Sequence, residues 1–572
     1  MMTGEAAGAS ILDSATPTAA MPIEMEAAAI NSPEELNVGT PVPTPSKNTD
    51  MENALQKQVG PIHFCFIVHG HQGKASDLWY LHQTVRDRAK EHNAFFHVES
   101  SGKCVVGATL AATKGSKDGF AKASSAGNES PPRRNKRDRL SPRLKFKKKQ
   151  SENHSNVVGS GSSAEEAGGS MQSASAVSFI VHNASCNEGK THDGIVKGGE
   201  RLASEILEVI MHEVEKKKQL LDNTKFGDEP VDVTISTIGN SLGGLYTRYA
   251  VARLAEIASE SCCEFNAAEG TSDTPDDYYC IMGEKTPIRV HFNVFCTTAS
   301  PHLGCSGHTY FPIPRAAEIG IAYGLGETGR DLFRLNDLLH RMATSPRFLE
   351  PLSMFRKRIA YANAFGTDFV VPTTTAAFLD KDSGSLHYFD EYFEEAYNQM
   401  ISDNEQVIDT TTPSKVPADV KKNSAAQCRA SELGLLVATF HTRRLSLEDV
   451  IKPGIPANDL TIMASTLDSL GWKKVFVDMR KEIPLALSIP TPSSAQSFPV
   501  QQLKSQQAVE SRQLVKAVSG NPSKSTISLP LGHNAICAMS RGKVTSAMND
   551  GGRPVMDSLA IEMMNDISSW LI

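Results

Sequence analysis

Thr237-Ile-Gly-Asn-Ser-Leu-Gly-Gly-Leu245 decides how this chain is read. The residues leading into it, Val231-Asp-Val-Thr-Ile-Ser-Thr-Ile238, are mostly β-branched, and an apolar residue recurs at alternate positions, which predicts a strand. The residues after it carry Leu245, Tyr249 and Leu254 near one face at helical spacing. Between the two lies Gly239-Asn240-Ser241-Leu242-Gly243, a G-x-S-x-G. On a strand–turn–helix this pattern is a nucleophile elbow. The turn is so sharp that Gly239 and Gly243 must lack side chains, and Ser241 is lifted out at the start of a helix. Backbone N–H groups and the helix dipole there favour a developing oxyanion.

Working outward, Pro61-Ile-His-Phe-Cys-Phe-Ile-Val-His69 is a near-continuous apolar run, as expected of a parallel strand buried on both faces. It runs straight into Gly70-His71-Gln72-Gly73. A loop after an early strand supplies the second oxyanion donor in elbow-bearing hydrolases, so Gly70 and the N–H of His71 are paired with the N–H of Leu242 in that role. Further strands are expected at 176–182, 287–296, 356–365 and 472–478, with helices at 76–89, after Gly199 to about Lys217, and from about Pro554 to Leu571. Residues 304–355 read as partly helical, in the place where a substrate-covering segment would insert. The fold expected is α/β: a mostly parallel central sheet flanked by helices, of the α/β-hydrolase type.

An acid just past a strand and a late histidine complete the pattern. Asp368 follows the 356–365 strand, and His533 follows the last strand and precedes the final helix. The order Ser, acid, His is the one this fold uses, so Ser241, Asp368 and His533 are the candidate catalytic residues. Asp380 and Asp382 fit less well, because neither directly follows a strand. His533 is also the last of the seventeen histidines.

Composition bounds the rest. The 572 residues would suit three or four domains on length alone. Several stretches are too polar or repetitive to pack, leaving roughly 350 residues for one large domain. The organisation expected is an arm at 1–58 and one hydrolase domain over 59–572, interrupted by flexible insertions at 111–175, 381–430 and 488–525. The ten cysteines are scattered, none in C-x-x-C, which reads as buried thiols in a reducing compartment. No metal or other cofactor is expected. No run of about 18 apolar residues suggests a membrane-spanning helix, and the first basic residue is Lys47, so neither a secretory nor a transit signal is read at the start. A cytoplasmic protein is expected, with a membrane or lipid-droplet surface as a peripheral location.

The net charge of −7 gives no global attraction to nucleic acid, which is not an expected partner. Residues 133–149 are the exception: ten of the seventeen are Lys or Arg. This run has three readings: a solvated loop, a contact with an anionic membrane surface, or a nuclear-import or nucleic-acid patch.

Taken together, the separated blocks resemble the DUF676 group of serine esterases in the lipase-like α/β-hydrolase superfamily. The blocks are Val68-His-Gly-His-Gln-Gly73; Thr191-His-Asp-Gly-Ile195 with Gly199-Glu-Arg-Leu202; Ile238 to Tyr249; Thr298-Ala-Ser-Pro-His-Leu-Gly-Cys305; Tyr361-Ala-Asn363 with Asp368-Phe-Val-Val-Pro372; and Gly532-His-Asn-Ala-Ile536. The Asp-Gly-Ile and Ala-Ser-Pro-His-Leu-Gly-Cys blocks are the narrower ones. Asn240 stands where the family commonly has histidine. The resemblance implies Ser241 as nucleophile, Asp368 as acid, His533 as base, and lipid or small acyl esters as substrates. Transfer of the acyl group to another acceptor, thioester cleavage, or a non-catalytic binding role on the same fold are the alternatives.

Overall fold

The computed structural model describes residues 61–92, 96–98, 177–220, 230–262, 278–283, 286–307, 313–368, 370–393, 429–450, 459–482, 486–487, 500–519, 527–528 and 531–568. The arm at 1–58, the insertion at 111–175 and its basic run lie outside the described residues.

Thirteen strands are present among the described residues. They are β1 (Ile62–Val68), β2 (Phe96–Val98), β3 (Val177–Ala184), β4 (Val231–Asn240), β5 (Tyr278–Met282), β6 (Pro287–Thr298), β7 (Lys357–Asn363), β8 (Leu386–Phe389), β9 (Leu436–His441), β10 (Lys473–Val477), β11 (Ala486–Leu487), β12 (Ala508–Glu510) and β13 (Ile527–Ser528). All but β11 and β13 join one sheet, in the order β12-β8-β9-β10-β7-β6-β4-β1-β3-β2, with β5 beside β6. From β10 to β2 every pair is parallel; β9, β8, β12 and β5 pair antiparallel. This is an α/β-hydrolase-like fold with a mixed, mostly parallel sheet.

The helices are α1 (Trp79–Glu91), α2 (Ile195–Leu220), α3 (Leu242–Cys262), α4 (Arg315–Gly324), α5 (Gly326–Leu332), α6 (Leu338–Thr344), α7 (Pro346–Ser353) and α8 (Thr373–Ala376), with further ones of nine residues or fewer and a final helix, Arg553–Ser568, after them. Burial follows the period of two. Ile62, Phe64, Phe66 and Val68 of β1 enter one core, with residues of α2 and α3. Cys65 and Ile67 enter another, with residues of α1 and the final helix. A strand apolar on both faces therefore needs helices on both faces, which a right-handed β–α–β chain supplies.

Register places the site. Val68 of β1 pairs with Gly239 of β4, Gly239 with Thr297 of β6, and Thr297 with Ala360 of β7. The C-terminal ends of these strands are therefore level, and the loops after β1, β4, β6 and β7 open at one edge.

Two stretches differ from the sequence reading. Residues 500–519, inside the expected flexible excursion at 488–525, form the helix Val500–Leu503, the edge strand β12 and the helix Ser511–Ser519. Val500, Leu503, Val509, Leu514, Ala517 and Val518 are buried in a third apolar cluster with Phe389, Phe440 and Phe476. Leu514, Ala517 and Val518 hold helical spacing, but Ser and Gln dominate the stretch and mask it. Inside 381–430, residues 386–389 form β8, which β12 covers.

Candidate active site

Ser241 is the single residue between β4 and α3, held in a left-handed backbone conformation (φ +54°). Only tight surroundings keep a non-glycine residue there. Its N–H donates to the carbonyl of Thr298 at 2.8 Å, which ties the turn to the end of β6. A Cβ on Gly239 would lie 2.4 Å from Gly244 Cα, and one on Gly243 would lie 2.3 Å from the carbonyl oxygen of Val68. Both glycines are therefore required by backbone packing, as the motif demands. Gly244 is a third such position, closed by Ser300 Oγ at 2.1 Å from its would-be Cβ.

The side chains of the three separated residues meet. Ser241 Oγ and His533 Nε2 are 2.9 Å apart. His533 Nδ1 and Asp368 Oδ2 are also 2.9 Å apart. Since the carboxylate only accepts, Nδ1 carries the proton and Nε2 is left to accept from the Ser241 hydroxyl. Asp368 is fully enclosed and His533 retains slight exposure.

Asp368 is itself fixed on both oxygens. Oδ1 accepts the N–H groups of Val370 and Val371, at 2.9 and 2.8 Å. Oδ2 accepts from Asn363 Nδ2 at 3.1 Å, as well as from His533. The loop from β7 turns through two left-handed residues, Phe365 (φ +58°) and Gly366 (φ +68°), before reaching it. The acid and histidine loops are joined directly: Gly532 N–H donates to Thr367 O at 2.7 Å, and a Cβ on Gly532 would lie 2.6 Å from that oxygen.

Gly70 packs against the serine. A Cβ there would lie 2.7 Å from Ser241 Cβ, so only glycine lets the loop approach. The next residues turn through Gln72 (φ +52°), whose N–H donates to Thr191 Oγ1 at 2.9 Å. His71 is stacked edge-on against His192, with centroids 4.7 Å apart. Burial lowers the His71 pKa, with the neighbouring His192 as a smaller contribution in the same direction. Leu242 opens α3, so its N–H has no acceptor within the helix.

Several supporting residues have no role in the sequence reading. Thr298 fixes the serine backbone, and Asn363 fixes the acid. His302 is fully buried, with Nε2 3.1 Å from Thr297 Oγ1 and Nδ1 3.3 Å from Arg248. Burial first, then the charges of Arg248 and Lys474, hold its pKa well below the ordinary value, so it is neutral and structural. Asn363 and Thr298 close their strands at the site edge, and that position is the signal that could have marked them. Among the described residues no group of three or more His, Cys, Asp or Glu side chains is placed to hold a metal ion. Nor is any described helix long and apolar enough to cross a membrane.

A strand–serine–helix turn on a mostly parallel sheet, with a histidine and a buried acid behind the serine, is the class of site found in α/β hydrolases. Comparison with known proteins narrows this. Residues 162–379, which hold Ser241 and Asp368, match the family described as "Putative serine esterase (DUF676)". The chain is also 29% identical over 215 residues to "Putative lipase ROG1" of Saccharomyces cerevisiae. That alignment covers 36% of this chain and 24% of the relative, so it spans about a quarter of the yeast protein. No solved structure matches significantly.

Proposed function

We propose that the protein is a serine hydrolase that cleaves carboxylic esters, with lipid acyl esters as the substrate class. The observation that carries this reading is the pair of consecutive 2.9 Å hydrogen bonds from Ser241 through His533 to Asp368. In this mechanism Ser241 Oγ attacks the ester carbonyl as His533 Nε2 takes its proton. The N–H groups of His71 and Leu242 hold the resulting oxyanion, each worth roughly 3–4 kcal/mol in comparable sites. His533 returns the proton to the departing alkoxide, leaving Ser241 acylated and the alcohol free. Water, deprotonated by the same nitrogen, then releases the acid and restores the hydroxyl. Asp368 keeps Nδ1 protonated and stabilises the imidazolium without becoming protonated itself.

The lipid part of the reading is supported by the name of the yeast relative and by the helices α4–α7, inserted between β6 and β7 next to the site. A panel of short- and long-chain p-nitrophenyl esters and diacylglycerol tests it. Turnover with long chains, lost by roughly 10⁴-fold or more in Ser241→Ala, is the expected result. A Ser241→Ala protein that turns over esters like the wild type would refute it. Accumulation of a transesterified alcohol in place of free acid would move the assignment to acyl transfer.

A further inference from the structure

Helix α4 is built the opposite way round from an ordinary surface helix. Its only charged residues are Arg315 and Glu318. Glu318 points inward and is buried; it accepts from Ser306 Oγ at 2.7 Å, the Gly307 N–H at 3.0 Å and Arg315 at 2.9 Å. The outward positions are Ala316, Ala317, Ile319, Gly320, Ile321 and Tyr323. Ile319, Ile321 and Tyr323 are 36%, 42% and 61% exposed. At 100° per residue the exposed positions sweep roughly 200° of the helix, leaving only Glu318 and Ala322 facing the protein.

The flanking sequence is equally poor in charge. From Ser306 to Gly326 it holds no ionisable side chain except His308, the two tyrosines and the paired Arg315 and Glu318. The loop that Glu318 grips also touches the acid loop of the site, where the Cys305 thiol lies 3.7 Å from the Val370 carbonyl. Val370 and Leu531, flanking Asp368 and His533 in sequence, are exposed as well, at 52% and 36%.

We propose that α4, with Ile319, Ile321 and Tyr323, is a surface that inserts into a neutral lipid–water interface beside the active site. Three features select a lipid surface. The exposed arc is convex and wider than half the helix, which a fluid surface covers and a rigid protein groove would have to wrap. The helix carries no net charge, so it matches a zwitterionic surface and needs no anionic lipid. Tyr323 follows Ile319 by one turn, with the Glu327-paired Arg330 guanidinium 5.1 Å over its ring, and an amphipathic ring beside aliphatic side chains suits the boundary between headgroups and acyl chains, where such a helix lies about 5–10 Å deep. The proposal rests on the esterase reading for its purpose, which is to bring lipid esters to Ser241. It differs from contact through 133–149, which would be electrostatic.

The test uses the full chain carrying Ser241→Ala, so that vesicle binding is read without turnover and stands or falls separately from the esterase reading. Flotation with phosphatidylcholine vesicles, with and without phosphatidylserine, at low and high salt, compares this protein with one also carrying Ile319→Ser, Ile321→Ser and Tyr323→Ser. Binding to pure phosphatidylcholine that survives high salt, and falls about tenfold or more in the triple variant, is expected. Should that variant misfold, Tyr323→Trp reports instead, by a blue shift on adding the vesicles in the difference emission between it and the parent, which carries three native tryptophans. The proposal is overturned by a triple variant that binds equally, by a difference emission that does not move in Tyr323→Trp, or by binding that needs phosphatidylserine and vanishes in salt. It is also overturned if the helix is buried in a dimer, seen as a larger species in sedimentation that the triple variant converts to monomer without any change in vesicle binding.

Discussion

The parallel and antiparallel halves of the sheet carry different burdens. The parallel half, from β2 to β10, levels its strand ends so that Gly70, Ser241 and Asp368 open at one edge. There the polar side chains are spent on one another, and glycines are fixed by contacts a single methyl group would break. The antiparallel half, β9, β8 and β12, contributes no residue to that edge. Where it joins the parallel half, polar side chains form a buried seam between β8, β10 and the helix Leu460–Asp468 instead. Lys474 of β10 binds Asp468 and lies 2.9 Å from His387 Nε2 of β8, with its ammonium 4.0 Å over the Phe378 ring. All three charged or titratable groups are enclosed. Burial pushes Lys474 down and Asp468 up to about 6, while their mutual attraction opposes both shifts. The same device, buried polar groups paired between separate elements, serves chemistry at the parallel edge and assembly where the two halves join.

This contrast is broken if a change in one half produces the effect expected of the other. The largest effect is expected at the acid. Asp368→Asn should lower kcat on the order of 10³–10⁴-fold, because an amide no longer fixes the His533 tautomer, while cooperative thermal unfolding persists. Ester turnover within a few-fold of wild type would remove Asp368 from the mechanism. Next is the seam. Lys474→Met leaves Asp468 buried without its cation and should cost about 3 kcal/mol of stability, with KM and kcat for a soluble short-chain ester little changed at a temperature where it stays folded. A rate loss without a stability loss would show that the two halves are not separable.

A smaller effect tests the framework of the parallel half away from the serine. Glu205 of α2 accepts from His182 at 3.0 Å and from the N–H groups of Ser185 and Cys186. Burial acts to raise its pKa, but these hydrogen bonds win and hold the carboxyl at about 2, against an ordinary 4.5. A depressed acid stabilises the fold above its unfolded value, and the contribution is lost as pH falls through the folded one. Glu205→Gln should therefore cost on the order of 2 kcal/mol at pH 7, a gap that narrows as pH falls below about 4.5 towards 2. A gap unchanged between pH 7 and pH 3, followed by thermal unfolding, would contradict this.

The same division explains what is legible in the sequence. β1, β4, β6 and β7 are long, apolar on both faces and punctuated by glycine, so their period and ends are visible. The serine, acid and histidine stand out because the fold fixes their order along the chain, and the structure brings Ser241, Asp368 and His533 within hydrogen-bonding distance. β8, β9 and β12 have six residues or fewer, and two of them sit in Ser-, Thr-, Pro- and Gln-rich surroundings, so composition hides them. Asn363 and Thr298 stand in the family-like blocks, but their supporting roles are hidden for another reason. Their roles depend on which strand ends lie level, and register is a property of paired strands that no single strand displays. Helix α4 is expected only as part of a covering segment; its outward apolar face becomes visible once Glu318 is seen to turn inward.

The central claim is that Ser241 is a nucleophile activated by His533. Incubating the folded wild-type chain with a fluorophosphonate and mapping the adduct by peptide mass spectrometry tests it most directly. The account predicts one phosphonylated residue, Ser241, with labelling lost in Ser241→Ala and strongly slowed in His533→Ala. A folded wild-type protein that stays unlabelled, or an adduct on another serine that persists in Ser241→Ala, would contradict it.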